Sequence, residues 1–207
     1  MCWWYCSCWS PAAGARELVK LNRIYTRTGD AGDTGLADGS RISKAHPRAQ
    51  AIGDVDEANS ALGIAILHIE DAGLAGMASA IQNELFDLGA DLATPGEDFA
   101  PTEMALRIVQ PQIDRLEREI DQMNEALEPL RSFILPGGSL AAAHLHLARA
   151  IVRRAERAAV GASAEMVLNP LALIYLNRLS DHLFVLARLV AKAAGGDVLW
   201  KPGATRG

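Results

Sequence analysis

Apolar residues return every third or fourth position along most of this chain, and each stretch that does so stops at glycine, proline or a polar cluster. From 51 to 72, Ile52, Val55, Ala58, Leu62, Ala65, Ile66 and Ile69 fall on one side of an about 3.6-residue repeat, which predicts a helix with one buried stripe. Met77, Ile81, Leu85, Leu88 and Leu92 predict a second helix over 74–93, ended by Thr94, Pro95 and Gly96. Pro111 suits the first turn of a third, where its missing N–H costs nothing; Ile113, Leu116, Ile120, Met123 and Leu127 are the apolar face. Residues 133–139, FILPGGS, break the period, and Ser139 caps a fourth helix reaching about Val160. Asn169 and Pro170 open a fifth, closed by Gly195 and Gly196. Residues 104–110 follow no period. Five helices with short links predict an all-α five-helix bundle.

The polar positions on the last two helices carry the first chemical signal. On the fourth, Leu140, Leu147, Ile151, Ala155 and Ala158 form the expected core side, which leaves Arg149, Arg153 and Glu156 in a narrow arc opposite, flanked by Arg154 and Arg157. Four arginines within nine residues make a local positive field, and guanidinium forks suit phosphate oxygens. The same run is also compatible with a solvated face of helical ion pairs. On the fifth, Leu176, Leu179, Leu183, Leu186 and Val190 form the core stripe, while Asn177, Ser180, Asp181 and Phe184 share another side. Both polar stripes lie off their core faces, so they meet water or another subunit.

Composition narrows the classes. A chain of 207 residues suits one domain, and with half its residues apolar, 5% aromatic and alanine and leucine abundant, it favours helix-on-helix packing. The formal charge of −5 excludes a general nucleic-acid binder, so any polyanion site is local. No apolar run reaches the roughly 18 residues that span a bilayer, so neither nucleic acid nor membrane is an expected partner. The amino-terminal MCWWYCSCWS holds all three cysteines and three of the four tryptophans, yet lacks the basic and long apolar regions of a signal peptide. Cys2, Cys6 and Cys8 lack the second pair of ligands that a zinc site needs. Residues 1–20 are therefore expected to be a disordered extension, with a true start downstream, at Val19, as the sharper alternative. Disulfides play no part in the body of the fold.

One further stretch, residues 23–40, RIYTRTGDAGDTGLADGS, is rich in glycine, aspartate and threonine. The phosphate-loop pattern GxxxxGK[ST] is not met, because Leu36 follows Gly35, and the dinucleotide pattern GxGxxG is not met either, because Gly29, Gly32 and Gly35 give GxxGxxG. A phosphate-binding loop built from backbone N–H groups, with Thr26, Thr28, Thr34 and Lys44 adding donors, stays open beside a plain turn. Asp54, Asp56 and Glu57, expected in the first turn of the first helix, suit the helix dipole. His144 and His146 lie on different sides of the fourth helix, and no GxSxG elbow or body cysteine offers a nucleophile.

TRTGDAGDTGL, GDVDEANSALG, FILPGGS, RAIVRRAER and LNRLSDHLFVLAR follow one another in an order and spacing that resembles the PduO-type ATP:cob(I)alamin adenosyltransferases, over roughly residues 21–200, with 201–207 a carboxy-terminal tail. The resemblance implies a homotrimeric five-helix bundle with active sites between subunits. It implies that ATP is held by Thr26, Arg27, Thr28, Gly29, Thr34 and Lys44, and by Arg153, Arg154, Ala155, Glu156, Arg157 and Asn177, with Mg²⁺ on the triphosphate. It implies an Asp56–Arg149 ion pair across the subunit boundary, and Phe133 as the aromatic closing the lower face of the corrinoid. The implied reaction moves the 5′-deoxyadenosyl group of ATP to the cobalt of cob(I)alamin in the cytoplasm. A cob(II)alamin reductase would supply electrons and an adenosylcobalamin-dependent enzyme would accept the product. The competing reading is a non-catalytic bundle that binds nucleotide or cobalamin and delivers it to a partner enzyme.

Overall fold

The computed structural model describes residues 25–102 and 105–206. The expected disordered extension, the start at Val19 and the cysteine-rich tail lie outside the described residues. Five helices follow a short hairpin: β1 Asp33–Gly35, β2 Arg41–Ser43, α1 Pro47–Ile66, α2 Ala72–Leu92, α3 Gln110–Glu125, α4 Leu140–Ser163 and α5 Pro170–Ala193. The strands pair antiparallel, Thr34 opposite Ile42. In the bundle α1 packs on α2 and α4, and α5 packs on α4 and α3.

The periodic stripes of α1, α2 and α5 are buried as expected: Val55, Leu62, Ile81, Leu85, Leu88, Leu176, Leu179, Leu183 and Leu186 are all inaccessible. Ser139 caps α4, its side chain accepting from the Ala142 N–H, and Asn169 caps α5 in the same way from Leu171. Gly195 and Gly196, at φ 107° and 101°, end α5 in a conformation that side chains resist.

Four expectations are corrected. Helix α1 begins at Pro47, capped by His46, and ends at Ile66, earlier at both ends than the apolar period suggested. Asp54, Asp56 and Glu57 are thus mid-helix, and Asp54 is buried. Ser180 is buried in the core rather than sharing the polar side of α5. On α4, Ile151 and Ala155 of the expected core side are buried, but Leu140 and Leu147 are 65% and 51% exposed, and the buried stripe is completed by Ala141, Leu145, Ala148, Val152 and Ala159. Small alanines let α1 and α4 approach closely, so the face they define wins over a face marked by two leucines. The arginine arc consequently lies on the flank of α4 beside α5, not opposite the core.

Residues around 107, which showed no period, form a buried polar knot. Asp91 accepts from Arg107 Nη1 at 2.8 Å, from the Ile108 N–H at 2.8 Å and from Asn169 Nδ2 at 2.7 Å. Burying that carboxylate is tolerable because its lone pairs are used. Helix α3 is held in part by ions: Arg115 bridges Glu84 and Glu119, Tyr175 donates to Glu84, and His182 meets Glu119.

Candidate active site

The glycine-rich stretch is the hairpin and the turn before it. Leu36 and Thr34 are buried, and the Ala37 N–H donates to the Ala93 carbonyl at 2.9 Å, so the hairpin is pinned to the end of α2. Thr34 is thereby a buried strut, whereas Thr26 and Thr28 are exposed, their hydroxyls 2.9 Å apart. Lys44 Nζ donates to the Gly29 carbonyl at 2.7 Å. A Cβ on Gly29 would sit 3.2 Å from that ammonium and 3.3 Å from the Asp33 carbonyl, a tight fit that would push the cation back by a few tenths of an ångström. Arg27 holds a left-handed φ of 62°, and its guanidinium lies 5.7 Å from the Tyr25 ring centroid. A non-glycine residue in that region is sparsely populated and is retained where the surroundings demand it.

The second cluster joins α4 to α5. Asn177 Nδ2 donates to Glu156 Oε1 at 2.9 Å, which connects the two polar stripes. Arg149 is half-buried with its guanidinium 5.7 Å from the Phe184 ring centroid and its Nε without a hydrogen-bond partner. Burial and nearby Arg153 lower the Arg149 pKa, and an arginine remains cationic regardless. Arg153 is exposed and makes no ion pair among the described residues, and its carbonyl accepts from Arg157 Nη1 at 2.9 Å. Arg154 differs: its Nε meets Asp54 Oδ1 at 3.2 Å and its Nη2 meets Glu57, so it ties α4 to α1. Those carboxylates, Glu57 foremost, raise its pKa. Ala155 is fully buried, packed in the core behind the arginines.

Asp56 is half-buried on α1 and has no ion pair among the described residues, so within one chain it does not meet Arg149. Nor does any hydrogen bond or ion pair among the described residues join Thr26, Thr28, Gly29 or Lys44 to Arg149, Arg153 or Glu156. Within one chain the two clusters are thus joined by no direct hydrogen bond or ion pair among the described residues.

Phe133 is 77% exposed. Its loop is held by a segment that carried no periodic signal: the Trp200 N–H donates to the Phe133 carbonyl at 2.8 Å, the Leu135 N–H donates to Val198 at 2.7 Å, and Ile134 bridges Leu199. The Trp200 ring meets Phe133 edge to face at 5.9 Å. Sixty-odd residues separate the partners, so no local pattern announces the pairing.

His146 is buried between α4 and α5, edge to face with Phe184 at 6.1 Å. Burial, then Arg149, depress its pKa below the ordinary 6.5, with Asp197 opposing. The folded chain therefore keeps this ring neutral while the unfolded chain takes up the proton first. That stability is complete above about pH 6.5 and is lost as pH falls through the folded value. Thermal midpoints should fall for the parent protein between about pH 7 and 5.5, and fall less for His146→Leu. Parallel slopes for the two proteins would contradict this.

Comparison with known proteins gives the family. A family model described as cobalamin adenosyltransferase matches residues 24–190. The chain is 50% identical over 190 residues to a corrinoid adenosyltransferase of Mycobacterium leprae, covering 89% of this chain and 98% of that one. It is 52% identical over 192 residues to the corrinoid adenosyltransferase of Mycobacterium tuberculosis strain H37Rv, covering 91% and 97%. Among solved structures, a variant PduO-type ATP:corrinoid adenosyltransferase from Lactobacillus reuteri, complexed with cobalamin and ATP, superposes with a TM-score of 0.79 at 38% identity, covering 86% of this chain and 99% of that one.

Proposed function

This chain belongs to the cobalamin adenosyltransferase family, and from that premise we propose how its two clusters work. The protein is an enzyme that transfers the 5′-deoxyadenosyl group of ATP to the cobalt of cob(I)alamin, giving adenosylcobalamin and triphosphate. Cobalt(I) is the nucleophile: the cobalt–C5′ bond forms as the C5′–oxygen bond breaks, and triphosphate leaves with the bonding pair. No side chain has to act as base or nucleophile. What the protein supplies is alignment, and stabilisation of the charge leaving on the triphosphate.

In this reading Lys44 and the backbone around Thr26, Arg27, Thr28 and Gly29 hold one side of the triphosphate, with Thr34 supporting the loop from inside. Arg153 and Arg157 hold the other side, and the Glu156–Asn177 pair presents polar atoms to the nucleoside. Arg154 acts through its tie to Asp54 and Glu57, and Ala155 by close packing behind the arginines. Mg²⁺, if bound with ATP, would neutralise part of the phosphate charge. Among the described residues no three metal-ligating side chains cluster. An ion held chiefly by phosphate oxygens would take one or two carboxylates, for which Glu156 and Asp181 are the candidates on this face.

The observation that carries the arrangement is that Asp56 and Arg149, on different helices, both lack an ion-pair partner among the described residues of one chain. A homotrimer resolves it by placing the hairpin of one subunit against the arginines of the next, with Asp56 meeting Arg149 across the boundary. The exposed Ile64, Leu67, Leu140 and Leu147 are apolar surface that such a neighbour would cover. Phe133 forms the wall beneath the corrinoid. We place the enzyme in the cytoplasm, fed by a cob(II)alamin reductase and supplying an adenosylcobalamin-dependent enzyme. Among the described residues no helix is long and apolar enough to cross a membrane.

The assay is purified protein with ATP, Mg²⁺ and chemically reduced cobalamin, followed by the spectrum of adenosylcobalamin and by triphosphate release. Lys44→Ala and Arg153→Ala proteins, each nearly inactive alone, should regain about one quarter of parental activity when unfolded, mixed equally and refolded. Random pairing restores both halves at one boundary in about four. No gain on mixing, from proteins shown to exchange subunits, places both halves in one chain and overturns the shared site.

A further inference from the structure

Adenosyl transfer as described gives His146 no role, yet its surroundings are unusual for a core histidine. The residue is 5% exposed, its Nδ1 is buried without a hydrogen-bond partner, and no other hydrogen bond among the described residues uses the ring. A buried ring nitrogen left unpartnered carries an unrecovered desolvation cost that an aliphatic side chain of similar size would avoid. An N–H directed inward without an acceptor would be worse than a bare lone pair, so the proton belongs on Nε2.

What the ring does contact is Phe184, edge to face at 6.1 Å with planes inclined by 64°. That geometry matches the electropositive edge of one ring to the electron-rich face of another. The same Phe184 ring lies 5.7 Å from the Arg149 guanidinium, a cation–π contact. His146 and Arg149 are three residues apart on α4, so both reach Phe184 of α5 from one side of their helix. The remaining charged groups near the pair are Asp197, which is paired with Arg188 at 3.0 Å, and, acting on Arg149, Arg153 and the Asp181 carboxylate. Arg149 Nε itself has no hydrogen-bond partner. Its aim within the chain thus depends on the aromatic contact together with the attraction of the Asp181 carboxylate, and the ring is steadied by His146.

We infer that His146 is a positioning residue: it fixes the Phe184 ring, and through that ring the Arg149 guanidinium, in the orientation from which Arg149 reaches Asp56 of the neighbouring subunit. This rests on the intersubunit Arg149–Asp56 pair of the proposed trimer. A neutral ring serves the purpose, because a protonated one would put a second cation beside Arg149.

The test is a double-mutant cycle on the whole enzyme with prereduced cobalamin. His146→Leu should lower kcat about tenfold while KM for ATP stays within about threefold, since the loss is of alignment rather than of ATP contacts. Phe184→Leu should lower kcat at least as much. The double variant should be no slower than Phe184→Leu alone, because the path runs through that ring. His146→Phe, which keeps an aromatic edge, should recover most of the loss. Multiplying single losses, or near-parental turnover for His146→Leu, overturns the inference. His146→Asn enters the same cycle if the leucine variant does not fold, with the same two outcomes. Arg149→Ala separates the inference from its premise. Parental turnover in that variant removes the role of Arg149 itself, whereas an inactive Arg149→Ala with multiplicative His146 and Phe184 losses removes only the role of His146.

Discussion

Phe133→Ala is expected to bind ATP as the parent does and to lose at least about a hundredfold of its turnover from cob(II)alamin with a reductase, but about tenfold or less from prereduced cob(I)alamin. The two assays differ in one respect, the need to reduce the cobalt on the enzyme. Cobalt(II) carrying a water or base on its lower face is hard to reduce, because the donor raises the energy of the orbital that accepts the electron. A side chain that occupies this face without offering a donor atom expels the ligand. Phe133 is suited to that position, being 77% exposed and supported from one side by Trp200, with exposed Leu135 and Leu199 extending the apolar surface. Covering one phenyl ring contributes about 2 kcal/mol, and every 1.36 kcal/mol is a factor of about ten in rate. Alanine at this position leaves room for water beneath the cobalt, and the reduction step takes the loss. Equal losses in the two assays would show that Phe133 only binds the corrinoid.

Arg153→Ala is expected to fail in both assays. This side chain is exposed and has no carboxylate partner among the described residues, so its charge is uncommitted in the free chain. A hydrogen bond from such a group to phosphate is worth about 1.5–3 kcal/mol, and a forked guanidinium makes two. The loss in kcat/KM for ATP should therefore be on the order of a hundredfold or more, shared between weaker ATP binding and slower departure of triphosphate. Arg153→Lys keeps the charge but not the fork and should fall between. Near-parental kcat/KM for Arg153→Ala would exclude Arg153 from the triphosphate site. Cob(II)alamin reduction in the absence of transfer should be little affected, which distinguishes this variant from Phe133→Ala.

The helices and their caps were legible because each is decided by neighbours in the chain. Ser139, Asn169 and the Gly195–Gly196 pair act on N–H and carbonyl groups one turn away, so composition and spacing suffice. The stripe of α4 was misplaced because leucine marks a core only where the partner helix leaves room for it. Alanine at 141, 148, 155 and 159 lets α1 come close, and Leu140 and Leu147 are left outside. Within RRAER the sequence offers adjacent arginines of equal chemistry. The fold distinguishes them, because Asp54 and Glu57 on α1 reach Arg154 and do not reach Arg153.

By itself, then, the amino-acid sequence determined the number and approximate limits of the helices and the residue types available for phosphate, all of which depend on contacts within a few residues. It also carried the five motifs whose order resembles a known family. Tertiary structure decided what depends on pairs far apart in the chain. The closing of Lys44 over Gly29, the hold of Trp200 on Phe133, and the seating of Phe184 between His146 and Arg149 all join segments brought together by packing. A side chain's charge is a property of its residue, but whether that charge is spent within the chain or left for a ligand depends on which helix lies opposite.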